Sequence, residues 1–397
     1  MAFDPSCVPS NASSLPCPPP GENTISAPAK VNLFFQTFPK EPGSPGLHEI
    51  RSLIAPCTLT DTIQVKVSWL QGDRFSVRIR LTDPTTDLPL GPENLLWQAA
   101  SAWWKAWRKN LPPQTDPVIA PQIDLTLTKK IPWAAGLGGG SSDAAALLRA
   151  LQSQAAHPLP EKEMQGSICP SLGSDVYPAY LGQLLAVEGT GHRIASLYTF
   201  SPDVTPPSCL LLTFPNIHFS TPLFYRKFDA LGESLEGHLE GRFGGHLGGH
   251  FGGHLGGLEE RKSPLSNSFA PLSLAAFPAQ ADLVQEIASF AKSVGLACRS
   301  GRDIWHYLDA LTHDLPVQEK NLDESFSLPE ILLPRGFWQG LWNQGDLYCD
   351  LSGTGPTIFL LYPPRLAQAM ARLAARLQEM AARRKVEMGV HWTKLIL

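Results

Sequence analysis

Ile123, Leu125 and Leu127 alternate with Asp124, Thr126 and Thr128, the period-two pattern of a strand with one face buried. Strong helix formers fill 144–151, so the residues between are expected to join a strand to a helix. Alternation over 28–35 predicts a strand carrying Lys30 and Asn32 on one face, and residues 62–70 and 74–81 predict two more. Leu95, Ala99, Ala102 and Ala106 lie at helical spacing and predict a helix over 94–108, whose Trp97, Trp103, Trp104 and Trp107 read as a packing stripe. Downstream, 183–188 and 209–214 read as buried strands, 282–294 as an amphipathic helix and 358–362 as a strand. Residues 365–383 form a helix whose basic residues face solvent.

The strand-to-helix connection carries chemistry. Gly136, Gly138, Gly139 and Gly140 let the backbone turn tightly and approach a ligand, and Ser141, Ser142 and Asp143 are residue types that begin helices. Free N–H groups at the positive end of a helix make an anion site suited to phosphate. The loop has no lysine of the Gly-x-x-x-x-Gly-Lys-Ser/Thr kind, so it is not that phosphate loop. A second glycine-rich turn spans 350–357. Asp175 follows a Gly-Ser turn, where an aspartate ordinarily caps the backbone. Lys30 and Asn32, by spacing alone, suit a wet strand face as well as a site.

Composition narrows the classes. The 397 residues carry a net charge of -4, which leaves no broad basic face for nucleic acid. No uninterrupted apolar run reaches membrane-spanning length. Residues 1–26, rich in proline and without a basic start, are expected to be a disordered leader. The seven cysteines are scattered without a C-x-x-C pair, which suggests reduced thiols and no metal site. Residues 237–260 are glycine- and histidine-rich with a period of four, and are expected to be a disordered insertion, with weak divalent-metal binding as the alternative.

Five segments then stand in a recognisable order: Pro28-Ala29-Lys30-Val31-Asn32-Leu33, Gly46-Leu47-His48-Glu49-Ile50, the central glycine loop, Gly173-Ser174-Asp175-Val176, and Leu351-Ser352-Gly353-Thr354-Gly355. Together they resemble the GHMP small-molecule kinases, with supporting likeness at Glu93-Asn94-Leu95 and at 214–222. The resemblance implies an α/β fold of the α+β type with two lobes and the active site in the cleft between them. It also implies an ATP-binding domain over 27–204 and a C-terminal domain over 205–397. Asp175 and Lys30 match the family's catalytic pair. Gly136, Gly138, Gly139, Gly140, Ser141 and Ser142 match its ATP phosphate loop, and Gly353, Thr354 and Gly355 the loop that closes beside it. Asn94 and Lys130 lie near the adenine pocket. Asn32 and His48 match the substrate side, His48 being similar to a histidine that reads a cytosine ring. Within the family, the first two segments are similar to those of members phosphorylating the C2 hydroxyl of 4-diphosphocytidyl-2-C-methyl-D-erythritol. Kinases of the homoserine or mevalonate type, and a non-catalytic nucleotide binder on the same fold, are the alternatives. ATP and Mg2+ are the implied cofactors, small molecules the implied partners, and a bacterial cytosol the implied setting, with a plastid as the other.

Departures from the family pattern shape further expectations. Leu47 stands where the family often has an aromatic residue, so a stacking partner is expected to be missing there. Ala134 occupies a position often held by glycine, and Tyr177-Pro178 reverses a usual order, which is expected to shift Asp175 slightly. Either Asn267-Ser268-Phe269 or Asn321-Leu322-Asp323 serves as the counterpart of a family Asn-acidic motif.

Overall fold

The computed structural model describes residues 21–38, 40, 47–71, 74–83, 87–111, 119–155, 157–199, 205–217, 221–236, 265, 267–312, 330–333 and 336–397. The stretch 237–260, the segment Asn321-Leu322-Asp323 and residues 1–20 of the leader expected over 1–26 lie outside the described residues, whereas 21–26 belong to a strand and not to a disordered leader.

Along the chain run strands β1 (Gly21–Thr37), β2 (Ile50–Gln71) and β3 (Ser76–Leu81), helix α1 (Leu95–Lys109), strand β4 (Ile119–Thr128) and helix α2 (Gly139–Gln154). Helical turns α3 (Glu161–Glu163) and α4 (Cys169–Leu172) flank a π turn at Met164–Ile168, and α5 (Val176–Leu181) follows. Next come β5 (Leu185–Gly189), β6 (Arg193–Thr199), β7 (Ser208–Thr213), α6 (Thr221–Glu236), α7 (Ala270–Ala276), α8 (Pro278–Ser293) and β8 (Cys298–Arg299). The chain ends through α9 (Gly301–Thr312), β9 (Glu330–Leu333), α10 (Phe337–Gln344), β10 (Leu347–Leu351), β11 (Ile358–Tyr362), α11 (Ala367–Arg383) and β12 (Gly389–Lys394).

These elements gather into two units. The first holds Thr60–Lys130, Gly140–Leu181 and the described residues up to Ala27; the second holds Pro28–Leu59, Ile131–Gly139 and Gly182–Leu397. In the first unit β3 runs parallel to β4, and β4 pairs antiparallel with the second half of β2, from Thr62 opposite Thr128 to Gln71 opposite Ile119. The tryptophans of α1 pack inward as expected. Trp103 and Trp107 are buried, and their indole N–H groups donate to Gln152 Oε1 of α2 at 2.9 Å and to the His157 carbonyl at 3.0 Å. A buried indole needs such a partner, which is why the stripe is a core feature.

In the second unit the first half of β2 pairs antiparallel with β5, β5 with β6, and β6 runs parallel to β9. A five-stranded sheet of order β12-β7-β11-β10-β8 carries α8 and α11 on an apolar layer that includes Leu212, Leu283, Ile287, Leu360, Leu373 and Leu377. Strand β2 begins twelve residues before the expected 62. Ser52, Leu53, Ile54, Ala55 and Cys57 are all buried, so both faces of this half-strand are covered and no alternation marks it.

Candidate active site

Both glycine loops of the second unit are bound to one another through backbone. Three successive carbonyls of the first are taken. Ala135 O accepts from Thr357 Oγ1 at 2.6 Å, Gly136 O from Ser352 Oγ at 3.2 Å, and Leu137 O from the Lys30 N–H at 2.9 Å. Because a trans peptide points its N–H opposite to its carbonyl, the amides of Gly136, Leu137 and Gly138 face away from these anchors. Gly136 and Gly138 have φ of 79° and 67°, in the left-handed region that favours glycine. A Cβ on Gly136 would sit 2.7 Å from Gly355 Cα, and one on Gly138 would sit 2.9 Å from Lys30 Cγ. Ala134 shares the left-handed region at φ 54° without being glycine. A Cβ on Gly140, by contrast, meets nothing.

Lys30 and Asn32 head a chain of polar contacts. Lys30 Nζ donates to Asn32 Oδ1 at 2.6 Å, Asn32 Nδ2 donates to Ser52 Oγ at 2.8 Å, and Ser52 Oγ donates to the Phe34 carbonyl at 2.9 Å. Asn32 is 2% exposed, so the wet-face reading of this strand does not hold for it. Its backbone N–H reaches Ser352 Oγ at 3.2 Å, which ties β1 to the second loop. Gly353, with φ 59°, lies so close that a Cβ there would be 3.0 Å from Asn32 Oδ1 and 3.4 Å from Lys30 Nζ. Asn267 supports that loop from behind, donating from Nδ2 to the carbonyls of Leu351 and Gly353, both at 2.9 Å. Buried Asp350 accepts from the N–H groups of Asn267 at 3.1 Å and Gly301 at 3.2 Å. Thr354 Oγ1 lies 2.8 Å from Thr221 Oγ1 at the start of α6.

His48 is 7% exposed and lies against Tyr225, ring centroids 4.7 Å apart, and Phe228, 6.0 Å apart. Its Nδ1 is 3.0 Å from the Phe38 carbonyl, and its Nε2 is 3.1 Å from Asp229 Oδ1. Leu47 beside it is 73% exposed, so the ring that covers His48 comes from α6 instead.

Helix α2 begins at Gly139, and in the first unit its residues Ser141 and Ser142 lie within the first turn, with Ser142 buried. The N–H groups of a first turn have no partner inside the helix. Asp143 follows in a buried ionic cluster. Lys129 Nζ contacts Asp61 Oδ2 and also Asp143 Oδ2, the latter at 2.9 Å, and Asp61 Oδ1 accepts from the Lys130 N–H. Burial pushes the Asp143 carboxyl up to about 7; the Lys129 charge pulls it down and the like charge of Asp61 adds to the rise. Burial lowers Lys129, but Asp143 and Asp61 together hold it above the ordinary lysine value. Asp175 heads α5, its carbonyl accepting from the Ala179 N–H at 3.1 Å, and its side chain is half-buried. Tyr177 and Pro178 are buried on α5, with the Tyr177 hydroxyl donating to Glu161 Oε1 at 2.9 Å. Asn94 caps α1, its Oδ1 accepting from the Leu96 N–H at 2.9 Å and its Nδ2 donating to Pro89 O at 2.7 Å. The Lys130 side chain is exposed.

Comparison with known proteins places the chain. Residues 94–183 match the GHMP kinases N terminal domain. The 4-diphosphocytidyl-2-C-methyl-D-erythritol kinase of Geobacter sulfurreducens is 33% identical over 211 residues, which is 53% of this chain and 67% of that protein. The chain belongs to the GHMP kinase family. The kinase of the same description from Thermus thermophilus is 35% identical over 202 residues, covering 50% of this chain and 60% of that one. The alignments therefore span about two thirds of these relatives. A crystal structure of 4-(cytidine 5'-diphospho)-2C-methyl-D-erythritol kinase covers 94% of this chain and 99% of its own at a TM-score of 0.50 and 22% identity, which shows a shared fold.

A GHMP kinase uses ATP and a small-molecule acceptor, and the expected α/β fold agrees with two sheets and their helices. The kinase holds several residues that local pattern did not single out for this site. Ser352 lay inside a quoted motif, but its role as a bridge between β1 and the first loop depends on contacts 320 and 216 residues away. Asp61, Ser52, Tyr225 and Asp229 carried no local signal. Asn267, one of two alternatives for an Asn motif, lies against the second loop; the other lies outside the described residues. No helix among the described residues is long and apolar enough to cross a membrane.

Proposed function

We propose that this kinase transfers the γ-phosphoryl group of ATP to the C2 hydroxyl of 4-diphosphocytidyl-2-C-methyl-D-erythritol. The observation that carries the reading is the anchoring of Ala135, Gly136 and Leu137 by their carbonyls, which leaves the following amides turned outward as a cradle for phosphate oxygens. Phosphoryl transfer needs alignment and charge compensation more than covalent chemistry. Gly136, Gly138, Gly139, Gly140, Ser141 and Ser142 would hold the β- and γ-phosphates, with Gly353, Thr354 and Gly355 closing beside them. Asp175 would accept the proton of the acceptor hydroxyl, a role worth about 10²–10⁴ in rate. Lys30, held by Asn32, would steady the charge that develops on the moving group. Asn94 and Lys130 would border the adenine, and His48 the cytosine. Two observations qualify the adenine pair: the Asn94 amide is engaged at both ends in capping, and the Lys130 backbone N–H is engaged with Asp61.

Mg2+ would arrive with the nucleotide and offset phosphate charge. Among the described residues no group of three or more acidic, histidine or cysteine side chains could hold a metal ion. The domain division at 204 and a bacterial cytosol, with a plastid as the alternative, belong to the same reading, and the bacterial hosts of the relatives support the cytosol. The test is phosphate transfer by the full chain from ATP to the cytidylated acceptor, with homoserine and mevalonate in parallel. Turnover of either small acceptor alone would move the enzyme to another branch of the family, and ATP binding without any transfer would leave a non-catalytic binder.

A further inference from the structure

Asp175 stands at the head of α5, a helix of six residues. Isolated helices shorter than about 12–15 residues are marginal in water, so the orientation of α5 has to come from its neighbours. Arg149 of α2 supplies one hold. Its Nη1 donates to the carbonyls of Ala179 and, at 3.0 Å, Tyr180. Both carbonyls lie in the last turn of α5, where they have no partner inside the helix and carry the negative end of its dipole, so a cation is the matching charge. Burial lowers the guanidinium from its ordinary value and Tyr180 acts the other way; an arginine stays charged all the same. In the first turn of α5 the Tyr177 hydroxyl donates to Glu161 Oε1 of α3 at 2.9 Å, and the Tyr177 ring stacks on Tyr180 with centroids 6.1 Å apart. Pro178 does not break α5, because its missing N–H falls in a first turn whose N–H groups have no partner within the helix.

We propose that Arg149 is a positioning residue for Asp175, locking the helix headed by Asp175 to α2, the helix whose first turn carries Ser141 and Ser142. This rests on the reading of Asp175 as the base that takes the proton of the acceptor hydroxyl. One arginine then fixes the base relative to the helix that holds the donor phosphates. Phosphoryl transfer depends on that separation, and a misplacement of about 1 Å caused far from the chemistry costs about 10²-fold in rate. Without the guanidinium, α5 would pivot about its hold on Glu161 and carry Asp175 off line. The phosphate-binding turn, about 10 Å along α2 from Arg149, would stay in place.

The experiment is a double-mutant cycle on phosphate transfer from ATP by the full chain to the acceptor it turns over, with Arg149→Met and Asp175→Asn made singly and together. Arg149→Met is expected to lower kcat by about 10–10²-fold, with the KM for ATP within about twofold of the unsubstituted value. In the Asp175→Asn background the same change should cost less than about threefold, because a strut acting through the base has nothing left to position. Arg149→Lys, which keeps a cation able to reach the carbonyls, should recover most of the loss. Arg149→Gln takes the place of Arg149→Met in the cycle if the methionine variant does not fold. Equal losses in the two backgrounds, or an unchanged kcat, would overturn the strut while leaving Asp175 as the base. Full turnover by Asp175→Asn, or no transfer by the unsubstituted protein, would overturn the base and the strut with it.

Discussion

Residues 131–139 and the helix start that follows are one continuous stretch of chain, yet they are held by opposite means. The loop is fixed by neutral contacts. Its carbonyls are tied to Thr357, Ser352 and Lys30 N–H, and its glycines leave no room for a side chain against Gly355 and Lys30. The helix start is fixed by charge, through Lys129 shared between the buried carboxylates of Asp61 and Asp143. Neutral backbone anchoring is indifferent to pH and intolerant of added volume. A buried ionic cluster responds to protons and loses stability when one partner is removed.

The largest effect expected is chemical. Asp175→Asn should lower kcat by about 10²–10⁴ and leave the KM for ATP nearly unchanged, measured by steady-state phosphate transfer, because a base acts in the transition state and not in nucleotide binding. A raised KM for ATP with kcat unchanged would give Asp175 a binding role instead.

The neutral side is broken by size. Gly136→Ala is expected to cost about 2–4 kcal/mol in denaturant unfolding, from left-handed backbone strain plus crowding against Gly355. Gly140→Ala, whose Cβ meets nothing, should change stability by less than about 0.5 kcal/mol. If it nevertheless raises the KM for ATP, the open space at Gly140 is where the nucleotide lies.

The charged side is sharpened by pH. Asp143 is held up to about 7, above the ordinary value of 3.8, so the folded protein binds its proton more tightly than the unfolded chain does. That contribution favours folding at low pH and is lost as pH rises from about 4 to 7. Relative to the unsubstituted protein, Asp143→Asn should therefore gain melting temperature across that window, with a difference that levels off above pH 7. A constant difference from pH 4 to 8 would mean that Asp143 does not titrate there. The smallest change expected is at Ala134. Replacing it by glycine relieves a positive φ but adds chain entropy to the unfolded state, and the two nearly cancel, leaving about 1 kcal/mol or less by thermal melting.

Legibility in the sequence followed the range of the interactions. The tryptophan stripe and the strand leading into the glycine loop were readable because one buried face repeats at the period of its element, and the 358–362 strand, buried throughout, as a short continuous apolar run. The first half of β2 is also buried on both faces, but Arg51, Ser52 and Pro56 break its apolar run. Helix α2 begins earlier than its propensities indicate, since glycines oppose a helix unless the surrounding structure fixes them. Asn32 read equally well as a wet face, and only the contacts to Lys30, Ser52 and Ser352 decide otherwise.

By itself the sequence determined that a glycine-rich turn joins a strand to a helix, that the chain resembles a family of kinases, and which residues are the candidates for each role. Those features are local, because backbone conformation and the order of motifs are written in neighbouring residues. The tertiary structure alone decided which groups hold the turn from 216 and 222 residues away, which carboxylates share Lys129, and that Tyr225 and Asp229 stand at His48. Contacts across such separations form only after the intervening chain has folded, and no short-range pattern of residues encodes them.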